Sequence, residues 1–274
     1  MKLTEKHPFS NGVINRVGEG IRGRKELNVE DYLMVMAWFD NLNEVVMKIA
    51  TEEVEQFIYG QKGQSEVLRI KLPVEKSHRV KTDDTIAEKL DRLSTKLSRV
   101  QDLAGCRLDI DCSLDCLSLI SNLLVKRFET EGAEVKVRNY LVDTQFGYRA
   151  IHLHLIAPAG RVEVQLRTKA QAAWANLNEV IGDEFGRFHR YGDLPDDAPE
   201  IYDELVQTAQ KISVSIRSIE EQKLAILRRM DRGRKGKLVN WLLRRYVRSE
   251  IDRLDNKLVG LLEQMTKQVK AKEW

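Results

Sequence analysis

Gly147-Tyr148-Arg149-Ala150-Ile151-His152 and, further on, Glu163-Val164-Gln165-Leu166-Arg167-Thr168 are the stretches that decide the fold. Tyr148 to Ile156 and Arg161 to Arg167 read as strands. Pro158-Ala159-Gly160 turns between them, so the pair is expected to form an antiparallel hairpin. The two-residue period of a strand puts Tyr148, His152 and His154 on one face. Upstream, Asp102-Leu103-Ala104-Gly105-Cys106-Arg107 brings a second carboxylate to the start of another strand. A stacking ring, cations and two carboxylates on neighbouring strands suit metal-assisted chemistry on a nucleotide.

Around this hairpin the pattern alternates between strands and helices. Asn28 is an N-cap with an acidic first turn behind it, and Tyr32 to Ile58 repeats apolar residues at helical spacing. Val67 to Leu72 reads as a short strand ending at Pro73. Thr82 caps a helix through Leu97, with Ile86, Leu90, Leu93 and Leu97 on one face. Ala104 to Asp111 is a strand, Ser113 caps a helix to about Phe128, and Glu134 to Leu141 is a strand. A helix follows from Thr168 to about Phe185. Two more run from about Pro199 to Met230 and from about Gly236 to Lys272, broken at Gly233 and Gly236. The fold class that follows is α/β (α+β), a mixed sheet of about five strands with flanking helices and a helical C-terminal tail.

The bulk composition narrows the function classes. Of 274 residues 42% are hydrophobic, enough for a packed core, and the net charge is only +3. The charge is unevenly placed. Arg228, Arg229, Arg232, Arg234, Lys235, Lys237, Arg244, Arg245 and Arg248 stand against the single acid Asp231, a block that suits RNA or a solvated helix face. Three cysteines, Cys106, Cys112 and Cys116, argue against a disulfide framework and for a reducing cytoplasm. No apolar secretion segment opens the sequence and no run approaches the roughly 18 apolar residues of a membrane span, so a cytoplasmic protein without membrane contact is expected.

The chemistry-bearing residues fall into groups. Asp102 and Glu163 are a carboxylate pair that can hold Mg2+ beside phosphates, because Mg2+ prefers oxygen ligands. Arg79, Lys81, Lys89 and Arg107 are cations that can converge on a triphosphate. Tyr148 can present its ring to a base, where aromatic stacking contributes about 1–3 kcal/mol. There is no Walker A sequence and no Gly-x-Gly-x-x-Gly, which argues against a P-loop or Rossmann phosphate site.

Taken together, Arg79-Val80-Lys81 with Lys89, Asp102-x-x-Gly105-x-Arg107, Gly147 to His152 and Glu163 to Thr168 resemble the motifs of the RelA/SpoT alarmone synthetase domain. The resemblance covers residues 60 to 195 well, with Ala172-Ala173-Trp174-Ala175 also similar and Ala150 replacing a frequent serine. It implies a nucleotidyltransferase-like sheet and transfer of the β,γ-pyrophosphate of ATP to a ribose 3′-hydroxyl. It divides the chain into an N-terminal helical region (1–59), a pyrophosphotransferase core (60–197) and a basic helical region (198–274). It further implies that Asp102 and Glu163 hold Mg2+ and that Glu163 helps deprotonate the attacking hydroxyl. Arg79, Lys81, Lys89 and Arg107 would bind ATP, and Tyr148, His152, Gln165 and Arg167 the acceptor.

Two departures from the family pattern bear on the acceptor. Where the family carries a phosphate-binding lysine before Gly-Tyr-Arg, this sequence has Asp143-Thr144-Gln145-Phe146, without a cation. Glu179 replaces a common histidine after Trp174, and Arg190-Tyr191-Gly192 takes the place of a Tyr-Lys pair, as in one branch of stand-alone members. One reading is a synthetase making (p)ppGpp from ATP and GDP or GTP; with no His-Asp dipeptide, a hydrolase half is not expected. A second is a toxin that transfers pyrophosphate to the 3′ end of tRNA, with Arg228, Arg229, Arg232, Arg234, Lys235, Arg244 and Arg245 as RNA contacts and an antitoxin as partner. A third is a non-catalytic helical module, whose C-terminal stripe of Leu238, Leu242, Leu254 and Leu261 packs within the chain or on a second copy.

Overall fold

The computed structural model describes residues 1–60, 65–142, 144, 146–192, 194–195, 197–232 and 238–272. Its elements run α1 (Asn11–Ile21), α2 (Val29–Gly60), β1 (Lys71–Val80), α3 (Asp83–Arg92), β2 (Ala104–Asp111), α4 (Leu114–Thr130), β3 (Glu134–Asn139), β4 (Ile151–Ala157), β5 (Gly160–Thr168), α5 (Lys169–Phe185), α6 (Glu200–Arg232) and α7 (Leu238–Ala271). The strands form one five-stranded mixed sheet in the order β1-β2-β5-β4-β3. Only β2 and β5 are parallel; the other neighbours are antiparallel. The α/β class with about five strands and a helical C-terminus is therefore as the sequence predicts.

Local chemistry sets many of the boundaries. Asn28 Oδ1 accepts from the Asp31 amide (2.9 Å), and Ser113 Oγ from the Cys116 amide (3.1 Å), so both helices start with an orphan amide satisfied. Thr168 and Gln171 form a reciprocal capping box that starts α5 directly where β5 ends. In the hairpin Ala157 pairs with Gly160, and Gly160 takes a φ of +141° at the turn. A side chain there would press on Phe39 and Leu42 of α2 at 3.0 Å.

Three boundaries differ from the sequence reading. The strand expected over Val67 to Leu72 instead begins at Lys71 and runs through Pro73 to Val80. Proline is tolerated because β1 is an edge strand, where a missing amide costs no ladder bond. The helix expected through Leu97 stops at Arg92: Ser94 turns to a φ of +46°, and the Thr95 amide returns to the Leu90 carbonyl. β4 begins at Ile151, which leaves Tyr148 in the approach to the strand rather than on it.

The alternation of β2 separates the sheet's two faces. Ala104, Cys106, Leu108 and Ile110 are buried, with Val164, Leu166, Leu153 and Leu155, in one core shared with α2 and α4. Each fully buried side chain of this kind contributes roughly 1.5–3 kcal/mol, against about 0–1 kcal/mol for an exposed ion pair, so this core dominates stability. A second core joins α5 to α6 and α7 through Trp174, Leu177, Ile181, Tyr202 and Leu262. The three cysteines are buried free thiols, and burial alone pushes Cys106 up to about 12. Among the described residues no helix is long and apolar enough to cross a membrane.

Candidate active site

The sheet face opposite the α2–α4 core forms the floor of a cleft of about 610 Å3, within the usual range for small-molecule sites. Strand register lays functional side chains across it in two rows. One row runs Arg79, Gly105, Glu163, His154 and Lys136; the next runs Ser77, Arg107, Gln165, His152 and Arg138. Gly105 is the gap in the first row. A Cβ there would meet nothing nearer than the Glu163 carbonyl at 3.9 Å, so the missing side chain keeps the floor open between Arg79 and Glu163.

One flank is cationic. Arg79 is the penultimate residue of β1, Lys81 follows the strand and donates its amide to the Leu103 carbonyl (3.0 Å), and Lys89 comes from α3. Asp102 sits in the turn before β2 rather than on the strand. Lys81 Nζ lies 3.2 Å from its Oδ2, and Lys89 Nζ pairs with Oδ1. Arg107 pairs with Glu179 of α5 at 2.7 Å. Burial works against ionising Glu179, but the charge and hydrogen bond of Arg107 outweigh it and hold the carboxyl below its ordinary value.

The other flank centres on Glu163, buried at 8% exposure. Its Oε1 accepts from His152 Nδ1 and His154 Nε2, both at 3.1 Å, and its Oε2 from Gln165 Nε2 at 2.6 Å. Desolvation opposes the charge, yet these partners hold the Glu163 carboxyl well below the usual range. The Tyr148 hydroxyl is 2.7 Å from His152 Nε2, and its ring stands edge-on to Tyr140 and His152. Burial raises the Tyr148 hydroxyl above its ordinary value, so it remains protonated. Gly147, at a φ of +86°, positions Tyr148: its carbonyl accepts from Ser213 Oγ of α6, and a Cβ would lie 3.1 Å from Trp174.

All ten sequence-predicted catalytic and substrate residues line this one cleft. Arg167 is the most constrained of them: 2% exposed, it holds Asp109 by two hydrogen bonds of 2.8 and 3.0 Å. Arg149 of the Gly-Tyr-Arg run is instead buried outside the cleft lining, donating toward the Leu141 carbonyl. Asp102 and Glu163 give the cleft two oxygen-donor carboxylates, a set that fits Mg2+ with phosphate oxygens completing the shell.

Sequence reasoning missed Tyr140, Asp183 and Arg187 in the lining, and Lys136 and Arg138 at its edge, and named Glu179 only as a departure from the family pattern. Ala175, Asn178, Glu179 and Asp183 follow helical spacing on α5, a signal for a cleft-facing stripe. Lys136 and Arg138 alternate with Val135 and Val137, but only the strand order reveals that they flank His154 and His152.

The C-terminal cations lie elsewhere. Arg229, Arg232 and Arg244 line a separate groove with Ile226, Met230 and Leu243. Arg228 is paired with Asp115 at 2.7 Å, and Arg245 is exposed on α7. Arg234 and Lys235 lie outside the described residues, as do Asp143 and Gln145 of the stretch before Gly147.

Sheet order, cleft and motifs define a RelA/SpoT-type synthetase domain: residues 78–181 match the family described as a region found in RelA / SpoT proteins. The chain belongs to the RelA/SpoT family. It is 32% identical over 223 residues to uncharacterized protein Mb1401 of Mycobacterium bovis, covering 78% of this chain and 76% of that protein. Uncharacterized protein Rv1366 of Mycobacterium tuberculosis matches to the same extent. Among solved structures, small alarmone synthetase 1 from Bacillus subtilis superposes with a TM-score of 0.54 at 19% identity, over 73% of this chain and 99% of that one. The same synthetase bound to AMPCPP gives 0.52 at 18%, over 73% and 98%. These structures share the fold.

Proposed function

We propose that this protein transfers the β,γ-pyrophosphate of ATP to the 3′-hydroxyl of GDP or GTP, making (p)ppGpp. The observation that carries the reading is the division of one cleft into a cationic flank around Asp102 and an acceptor flank around Glu163. The RelA/SpoT region over residues 78–181 supports the same reaction class.

In this reading Arg79, Lys81, Lys89 and Arg107 bind the triphosphate. Lys81 and Lys89 neutralise Asp102, and phosphate oxygens compete for the same ammonium groups. Asp102 and Glu163 would hold Mg2+, which supplies charge neutralisation to the phosphates. The acceptor 3′-oxygen forms a bond to the β-phosphorus, the bond from that phosphorus to the α–β bridging oxygen breaks, and AMP leaves. A carboxylate held as low as Glu163 is a weak base, so it accepts the hydroxyl proton late, as the new bond acidifies it. Tyr148, held by His152, orients the acceptor base. Positioning and electrostatics then supply most of the rate, as in phosphoryl transfer generally.

A second acceptor has a specific observation behind it. Lys136 and Arg138 are exposed at the sheet's open edge, beside His154 and His152. There they suit the phosphates of a chain extending out of the cleft, which favours a tRNA 3′ end.

One experiment separates the readings: γ-labelled ATP and Mg2+ with GDP, GTP or deacylated tRNA. Labelled guanosine supports the first reading, and labelled tRNA alone replaces it with the second. No label on any acceptor refutes both. Glu163→Gln is expected to abolish transfer while the circular dichroism spectrum is unchanged.

A further inference from the structure

We propose that His152, His154 and Glu163 form a second kind of metal site, one that takes a borderline transition-metal ion such as Zn2+ or Co2+ rather than Mg2+. Their ligand atoms lie within 4.8 Å of one another. His152 Nδ1 and His154 Nε2 each stand 3.1 Å from the same Glu163 oxygen, Oε1. Ligands about 2.0–2.1 Å from a tetrahedral Zn2+ lie roughly 3.3 Å apart, so a small opening of this triad admits the ion. Two imidazole nitrogens and one carboxylate oxygen form the three-ligand set of an open zinc site; all-oxygen sets suit Mg2+.

The neighbouring groups are arranged as metal-site partners. Gln165 holds the other carboxylate oxygen, Oε2, at 2.6 Å, which leaves Oε1 to face the imidazoles. Tyr148 lies 2.7 Å from His152 Nε2. When Nδ1 ligates, the ring proton resides on Nε2 and the Tyr148 oxygen accepts it, an outer hydrogen bond of the kind that fixes ligating histidines. The triad opens on the cleft, which leaves a coordination position for water or a phosphate oxygen. In the proposed transfer reaction His154 touches neither substrate and acts only through its hydrogen bond to Glu163. With the ring protons moved to the opposite nitrogens, both imidazoles and the carboxylate oxygen present lone pairs within reach of a single ion. The site shares Glu163 with the proposed transfer reaction, so a bound transition-metal ion and that reaction compete for one carboxylate; binding of the ion is measured whether or not pyrophosphate transfer is observed.

The test uses the full chain freed of metal by chelation and titrated with Co2+ and then Zn2+ at neutral pH and millimolar Mg2+. One equivalent of Co2+ is expected to give the intense visible bands of low-coordinate cobalt, and Zn2+ to bleach them. His154→Gln, checked for folding by circular dichroism, is expected to weaken binding at least tenfold. In the unsubstituted protein Zn2+ is expected to protect His152 and His154 from diethyl pyrocarbonate, mapped by mass spectrometry, which needs no variant. The spectrum of hydrated cobalt alone, undiminished binding by folded His154→Gln, or unprotected histidines would each overturn the proposal.

Discussion

The Tyr148 hydroxyl meets His152 Nε2 at 2.7 Å, and the other nitrogen of that ring meets Glu163 at 3.1 Å, so ring, imidazole and carboxylate form one chain of contacts. The hydroxyl and the ring of Tyr148 are then separable. Tyr148→Phe keeps the ring and removes the link to His152, so kcat is expected to fall about tenfold with acceptor KM within twofold. Tyr148→Ala removes stacking worth about 1–3 kcal/mol, which raises acceptor KM roughly 5- to 150-fold. Steady-state kinetics at saturating ATP check both, and equal effects of the two variants would exclude the separation.

Gly147 is clamped between Trp174 and Ser213, at 3.1 and 3.2 Å from where a Cβ would stand, in a backbone conformation that disfavours side chains. Gly147→Ala is expected to cost about 1–3 kcal/mol in urea unfolding. Ser213→Ala, which removes one buried hydrogen bond to the Gly147 carbonyl, is expected to cost about 1 kcal/mol. Both displace Tyr148 and raise acceptor KM, whereas KM for ATP is unchanged.

Gly105 makes the opposite case. Its Cβ would enter the open cleft, and its backbone lies outside the positive-φ region. Gly105→Val should therefore fold with stability within about 1 kcal/mol of the parent, yet lose ATP binding because the branched side chain fills the floor between Arg79 and Glu163. Calorimetric titration with a non-hydrolysable ATP analogue reads this directly. Unimpaired binding would remove Gly105 from the site.

These positions show what was legible in the sequence. Strand and turn signals located β2 and the β4–β5 hairpin, and the capping residues Asn28 and Ser113 located the starts of α2 and α4, because those signals are local. The motif residues were visible as well, and their common cleft follows from strand order. What stayed hidden was non-local. Pro73 reads as a strand stop unless β1 is known to lie at an edge, and Ser94 ends α3 by a backbone rotation that its side chain does not announce. Glu179 reaches the cleft, and Lys136 its edge, only through the packing of α5 and the adjacency of β3 to β4. The register that brings His154 to Glu163 belongs to a hairpin whose antiparallel pairing is expected from the sequence but whose residue-by-residue register is not.

Glu163 ties stability to pH. Burial opposes its charge, but His152, His154 and Gln165 lower its folded pKa well below the ordinary 4.5. A carboxyl with a lowered folded pKa contributes stability that is complete above its unfolded value. That contribution is lost as pH falls through the folded value. Urea unfolding from pH 6 downward should therefore show a steeper loss below about 4.5 in the parent than in Glu163→Gln, which lacks this titration. Parallel curves for the two would mean that the hydrogen bonds do not favour the ionised form.

Salt dependence distinguishes the acceptors even before products are resolved. A guanosine nucleotide offers few phosphates, whereas a tRNA would also meet the exposed Lys136 and Arg138 at the sheet edge. Each phosphate neutralised on a nucleic acid steepens the fall of log affinity with log salt by about 0.7–0.9. If tRNA is the acceptor, replacing Lys136 and Arg138 together with alanine should reduce that slope by roughly 1.4–1.8 and weaken binding at low salt. If GDP or GTP is the acceptor, the same double variant should leave transfer to the nucleotide within about twofold, since neither side chain lines the cleft. Binding and transfer assays between 50 and about 200 mM salt, the range over which such contacts lose most of their strength, decide between the two.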